Sequence, residues 1–241
     1  MQKKCLLPVL LALLMLLSGC RSQAQPAQIA ATTLPVYEFT SRLCEGTPLT
    51  VTRLVTESVS CLHDYSLNVR QVKAAEAAEV VVISGAGLED FLDGILDDSD
   101  IIDSSDGIAL LHAEEEHDHG HEDHHHEDDP HIWLSPENAK IMAGNICTGL
   151  FQRYPEYADT FSANLDSLLQ SYGESSLSGL KCRELVTFHD GFSYFAQAFN
   201  LTILEAVEEE SGSEASAQEL KHLIGVVREN DLPAIFTERN G

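Results

Sequence analysis

The sequence predicts an α/β protein of two lobes, each a parallel sheet flanked by helices, joined by one long helix. Three observations predict it. From Gln28 onward, apolar β-leaning runs alternate with segments of helical spacing, the order that builds a parallel sheet with helices on its faces. Residues 79–84 (EVVVIS) form a continuous apolar run, the composition of a strand covered on both sides. After a long helical pattern, the alternation restarts near Lys181.

Residues 28–33 (QIAATT) read as the first strand, and the segment from Val36 to Leu43, after Pro35, has helical spacing closed by Gly46. Residues 49–55 (LTVTRLV) alternate and read as the second strand. The segment 68–78 is rich in Ala, Lys, Glu and Gln, strong helix formers. After the strand 79–84, Gly85-Ala86-Gly87 turns the chain into a short helix over 88–96, and residues 107–111 (GIALL) read as another strand. Ser135 followed by Pro136 is a helix start, serine capping and proline at the first helical position, with the helix running to about Phe151. The pattern 156–180 reads as one long helix, with Phe161, Leu165, Leu168 and Leu169 on one face; the spacing fits a rigid spacer and a core helix equally. Then come a strand at 185–188, a helix at 192–199, a strand at 201–204, a polar loop, a helix at 218–229 and a strand at 234–236. The expected organisation is an N-terminal lobe over 28–155, the linking helix 156–180, and a C-terminal lobe 181–241. About sixty residues make that last lobe thin, so it is expected to be incomplete.

The formal net charge is −25. Such a balance repels phosphates and argues against nucleic acid, while it raises the local concentration of cations. Residues 1–19 carry Lys3 and Lys4, then an apolar run from Leu6 to Leu17 that is shorter than the roughly 20 residues of a membrane span. Leu17-Ser18-Gly19-Cys20 resembles the lipobox of bacterial lipoproteins. It implies cleavage before Cys20, lipidation of its thiol, and a tether over 20–27 that holds the protein outside the cytoplasm on a membrane. Cys44, Cys61, Cys147 and Cys182 remain. In an oxidising compartment an even number favours disulfides, and proximity in sequence suggests Cys44–Cys61 and Cys147–Cys182. The alternative for Cys61 is metal ligation beside His63.

The region 112–130 is an acidic, His-rich loop ending at His131. His117, His119, His121, His124, His125 and His126 fall within ten residues, and nine Asp and Glu are interspersed between His112 and His131. Neutral imidazole is a good ligand for borderline divalent metals, and carboxylates add charge. Three further histidines, His63, His131 and His189, stand on loops or strand ends, where open α/β sheets place their ligands. Three His with an open fourth position is an ordinary Zn²⁺ arrangement.

Four features together resemble a known family: the lipobox, His63-Asp64-Tyr65-Ser66-Leu67, Pro130-His131-Ile132-Trp133-Leu134-Ser135-Pro136, and Thr187-Phe188-His189-Asp190-Gly191-Phe192. They are similar to the zinc-binding members of the metal-specific substrate-binding proteins of ABC importers. The resemblance implies two α/β lobes with Zn²⁺ held between them, His63 and His131 from the first lobe and His189 from the second. It also implies a monomer that delivers Zn²⁺ to a membrane permease driven by an ATPase, with weaker ions in the His-rich loop. Manganese-binding relatives tend to carry a carboxylate where His189 stands, so His189 favours zinc. There are two departures. Leu62 occupies a position where some zinc members have an acid, and the late carboxylate many members supply is not found, leaving water or another residue as fourth ligand.

The remaining readings are a manganese-binding homologue, a surface zinc buffer or adhesin, and a zinc hydrolase. A hydrolase needs a placed general base, and no HExxH-type segment supplies one. Asp64, Asp190 and Glu205 read instead as partners of the ligands or as solvated acids.

Overall fold

The computed structural model describes residues 27–57, 62, 65–96, 101–112, 128–172, 177–208 and 216–235. The expected leader and Cys20, and with them Cys61, His63, His117, His119, His121, His124, His125 and His126, lie outside these residues.

The first unit is a four-stranded, fully parallel sheet in the order β2-β1-β3-β4, with β1 at Ile29–Ala31, β2 at Val51–Arg53, β3 at Val80–Ile83 and β4 at Ile101–Asp103. Strand β1 is buried throughout, and Val80, Val81 and Val82 are buried beside it, as the continuous apolar runs required. Helix α1 (Leu34–Leu43) connects β1 to β2, and α2 (Val69–Ala77) connects β2 to β3. Helices α3 (Pro136–Arg153) and α4 (Ala158–Ser171) complete one face, where Val36, Leu43, Met142, Ile146, Leu150 and Phe161 pack with Ile29, Val80 and Val82. Phe161 is wholly buried in that core, so the helix expected over 156–180 acts at this end as a core helix. It is also shorter than the pattern suggested: Pro155–Tyr157 form a 3₁₀ turn before it, and Tyr172 caps it.

Helix α2 shows how local chemistry fixes an element. The Asn68 side chain accepts from Arg70 N and Gln71 N at 2.9 and 3.1 Å, while Gln71 Oε1 accepts from Asn68 N at 2.8 Å. Two otherwise unsatisfied donors of the first turn are thus paired reciprocally. Gln71 Nε2 also donates to Leu54 O and Glu57 Oε2, tying the cap to the end of β2. Asn68→Ala is therefore expected to lower unfolding free energy by about 1 kcal/mol, read from urea melts.

Two expectations are corrected here. Residues 107–111 are not a strand. Gly107, at φ +77°, turns the chain away, and the fourth strand is instead Ile101–Asp103, paired with β3. Its two isoleucines sit among acids, which hid the strand from a periodicity reading. Gly85, at φ +83°, passes so close to β4's end that a Cβ would overlap Asp103 and Ser105. The expected Cys147–Cys182 disulfide is not formed, since both are free thiols, and Cys44, whose suggested partner Cys61 lies outside the described residues, is a free thiol as well. Cys147 faces the first core and Cys182 packs against the second, so that pair belongs to different apolar clusters. Burial pushes the Cys44 thiol up to about 12 and Cys147 to about 11, which keeps both protonated and inert.

The second unit is a two-stranded parallel sheet, β5 (Glu184–His189) and β6 (Thr202–Glu208), linked by α5 (Ser193–Phe199). Leu223 and Val226 of α6 (Ala217–Glu229) pack against Val186, Leu204 and Val207. The units meet through Tyr194 of α5, which is buried in the first core and accepts a hydrogen bond from Leu111 N at 2.9 Å. No helix among the described residues is long and apolar enough to cross a membrane.

Candidate metal centre

His131 and His189 come together at this junction. His131 caps the 3₁₀ turn Ile132–Leu134, which leads through Ser135 into α3. Ile132 is wholly buried and anchors the turn in the first core. Trp133 packs beside it, its ring centroid 5.4 Å from that of His131. His189 is the last residue of β5, its ring edge-to-face with Phe192 at 5.6 Å. Each histidine is only 9% exposed.

The two Nε2 atoms lie 3.4 Å apart. A tetrahedral zinc ion with Zn–N bonds of 2.0–2.1 Å separates two imidazole nitrogens by about 3.3 Å. The pair is thus spaced as two ligands of one such ion. Asp129 fixes the first ring: its Oδ1 accepts from His131 Nδ1 at 2.8 Å and from His131 N at 2.9 Å. A carboxylate offers only acceptors, so Nδ1 carries the proton and Nε2 keeps its lone pair toward His189. On one side the backbone of Gly191 closes against both rings: a Cβ there would overlap His189 Nε2 and lie 2.9 Å from His131 Nε2.

Among the described residues, no group of three or more His, Cys, Asp and Glu is placed to hold a metal ion. His63, the third histidine singled out in the sequence, lies outside the described residues. Asp129 was missed in the sequence; the signal that could have found it is an acid two residues before a histidine in Asp129-Pro130-His131. His112, which had no assignment, stands at the loop base, bridged antiparallel to Asp128 with Nδ1 and Oδ1 2.7 Å apart. Glu205 lies 3.5 Å from the exposed His222, away from the pair. A cavity of about 410 Å³ between β4 and α3, lined by Ile102, Asn145 and Gly149, shares no residue with the imidazoles.

A protein-family model described as ZnuA, zinc-uptake complex component A periplasmic, matches residues 29–241. The chain belongs to that family. The zinc-binding lipoprotein AdcA of Streptococcus pneumoniae (strain ATCC BAA-255 / R6) is 33% identical over 243 residues, covering 93% of this chain and 48% of AdcA. The chain thus spans about half the length of that curated relative. A crystal structure of ZnuA superposes with TM-score 0.73 at 32% identity, covering 88% of this chain and 82% of that one. Zn(II)-bound AdcA from Streptococcus pneumoniae superposes with TM-score 0.72 at 27% identity, covering 88% and 46%. The two-unit α/β fold expected from sequence is therefore the fold of ZnuA-type proteins, and the family is one of metal uptake.

Proposed function

We propose that this chain is the extracytoplasmic zinc-capturing component of an ABC importer, anchored by lipid at Cys20, which passes Zn²⁺ to a membrane permease and its ATPase. The observation that carries the reading is the buried His131–His189 pair, 3.4 Å apart at the junction of the two units. Two imidazole nitrogens suit zinc better than the oxygen-preferring manganese ion. His63 supplies the third ligand in this reading, and water or a further residue the fourth. Zinc is cargo here, and the chain binds and releases it unchanged.

His117, His119, His121, His124, His125 and His126 form an accessory collector with weaker sites. The His112–Asp128 bridge supports the separation, because it closes the loop at its base and leaves the cleft pair outside it. Replacing 114–127 by one glycine keeps a two-residue turn, Ala113-Gly, between the bridged residues. Calorimetric zinc titration of this variant should retain one tight site and lose the weaker ones. Loss of the tight site with the loop would reverse the assignment.

A further inference from the structure

We propose that Asp129 is a positioning residue of the metal site, setting the tautomer and aim of His131 from a mount built by the base of the His-rich segment. The proposal rests on the zinc-capture reading and deepens it. Asp129 Oδ1 takes two donors from one residue, the backbone N and Nδ1 of His131, at 2.9 and 2.8 Å. A two-point grip fixes both the chain direction and the ring plane, which one bond would leave free to rotate. The side chains of His131 and Asp129 are only 11% and 10% exposed, so water competes little for either bond.

Asp129 is itself held. Its backbone N donates to Leu111 O at 2.7 Å, and Leu111 N donates to Tyr194 Oη at 2.9 Å. Tyr194 is 2% exposed and belongs to α5 of the second unit. One residue earlier, Asp128 is bridged to His112, which closes the loop. Pro130 follows, with φ fixed by its ring and no donor to compete for the carboxylate. The chain of contacts therefore runs from the second unit, through Leu111 and Asp129, to Nε2 of His131, which faces His189 Nε2 on β5 of that same unit. The aim of one imidazole is referenced to the lobe that carries the other.

Without the carboxylate, nothing in this mount selects the Nδ1–H form. The imidazole is then free to carry its proton on Nε2, where it points a donor at the metal position. The test is Asp129→Ala and Asp129→Asn in the full chain, with two readouts. Long-range ¹H–¹⁵N spectra of metal-free, ¹⁵N-histidine-labelled protein report which nitrogen of His131 is protonated, the resonance being assigned by its loss in His131→Gln. Competition with a chromophoric chelator reports zinc affinity.

In wild type Nδ1 should be protonated and Nε2 bare. Asp129→Ala should mix the two forms and weaken zinc binding by roughly 10- to 100-fold, the usual cost of losing an outer partner. Asp129→Asn, whose amide oxygen still accepts, should keep the Nδ1–H form and recover most of the affinity. Unchanged tautomers in Asp129→Ala overturn the proposal, as does an equal loss of affinity in both variants with the tautomer intact. Should Asp129→Ala not fold, Asp129→Asn decides: an Nε2–H form there overturns it. A wild type with the predicted tautomer that binds no zinc sinks the zinc reading alone.

Discussion

Replacing His131 or His189 by alanine should lower zinc affinity by more than the roughly 10- to 100-fold that loss of an outer partner costs. Each variant removes one of two imidazoles whose Nε2 atoms are spaced as ligands of one ion. Neither side chain is part of the apolar cores, so the fold and its melting temperature should change little. The double variant should bind hardly more weakly than either single one, because the chelate is already broken; effects of groups that share a partner do not add. His189→Asp should behave differently. It keeps a ligand but replaces nitrogen by oxygen, so the ratio of Zn²⁺ to Mn²⁺ affinity should fall. Parallel competition titrations with both metals read all four variants. Tight zinc binding that survives in both alanine variants would remove the pair from the site.

How much of this was legible beforehand depended on the range of the interactions involved. The buried strands β1 and β3 were visible because covered parallel strands need continuous apolar runs, and QIAATT and EVVVIS supply them. The helix start at Ser135 was visible because capping is written in adjacent residues, and the helix from Asn68 because its composition favours one. Strand β4 was not, since Ile101 and Ile102 owe their place to pairing with Val81 and Val82, a contact no local pattern records. The same reason hid the free state of Cys147 and Cys182, which were paired by nearness in sequence but belong to separate clusters. At the candidate site, His131 and His189 were singled out by their turn-forming contexts, and the fold brings these two together. Asp129 was not, because its significance lies in a ring nitrogen 2.8 Å away and in a backbone bond to Leu111 across the loop. The packing of Tyr194 into the first core and its bond from Leu111 N tie the two units together at the junction.

Stability should also depend on pH through a second buried group, the carboxyl of Glu89. Glu89 is 6% exposed beneath the carboxyl ends of β1 and β3. Its Oε1 accepts from Thr32 Oγ1 at 2.6 Å and Ser84 N at 2.8 Å, and its Oε2 from Gly85 N at 2.9 Å. Those bonds favour the ionised form, and burial opposes it more strongly, with help from the charge of Asp103, so the carboxyl is pushed up to about 7. In the unfolded chain it titrates near an ordinary glutamate, at about 4.3. Between those values the native state holds a proton that the unfolded state has released. Its contribution to stability is therefore complete below the lower value and is lost as pH rises through the upper one. The span corresponds to roughly 4 kcal/mol, at 1.36 kcal/mol for each pH unit of separation. Glu89→Gln keeps the shape and cannot ionise, so it lacks this loss. Urea unfolding at closely spaced pH values should show the variant gaining on wild type by that amount between pH 4 and 8, with every other titrating group common to both. The gain follows from burial: a neutral amide pays no charge desolvation at any pH, whereas the carboxylate pays it once its proton leaves. Parallel curves for the two proteins would mean that the three donors compensate the buried charge in full.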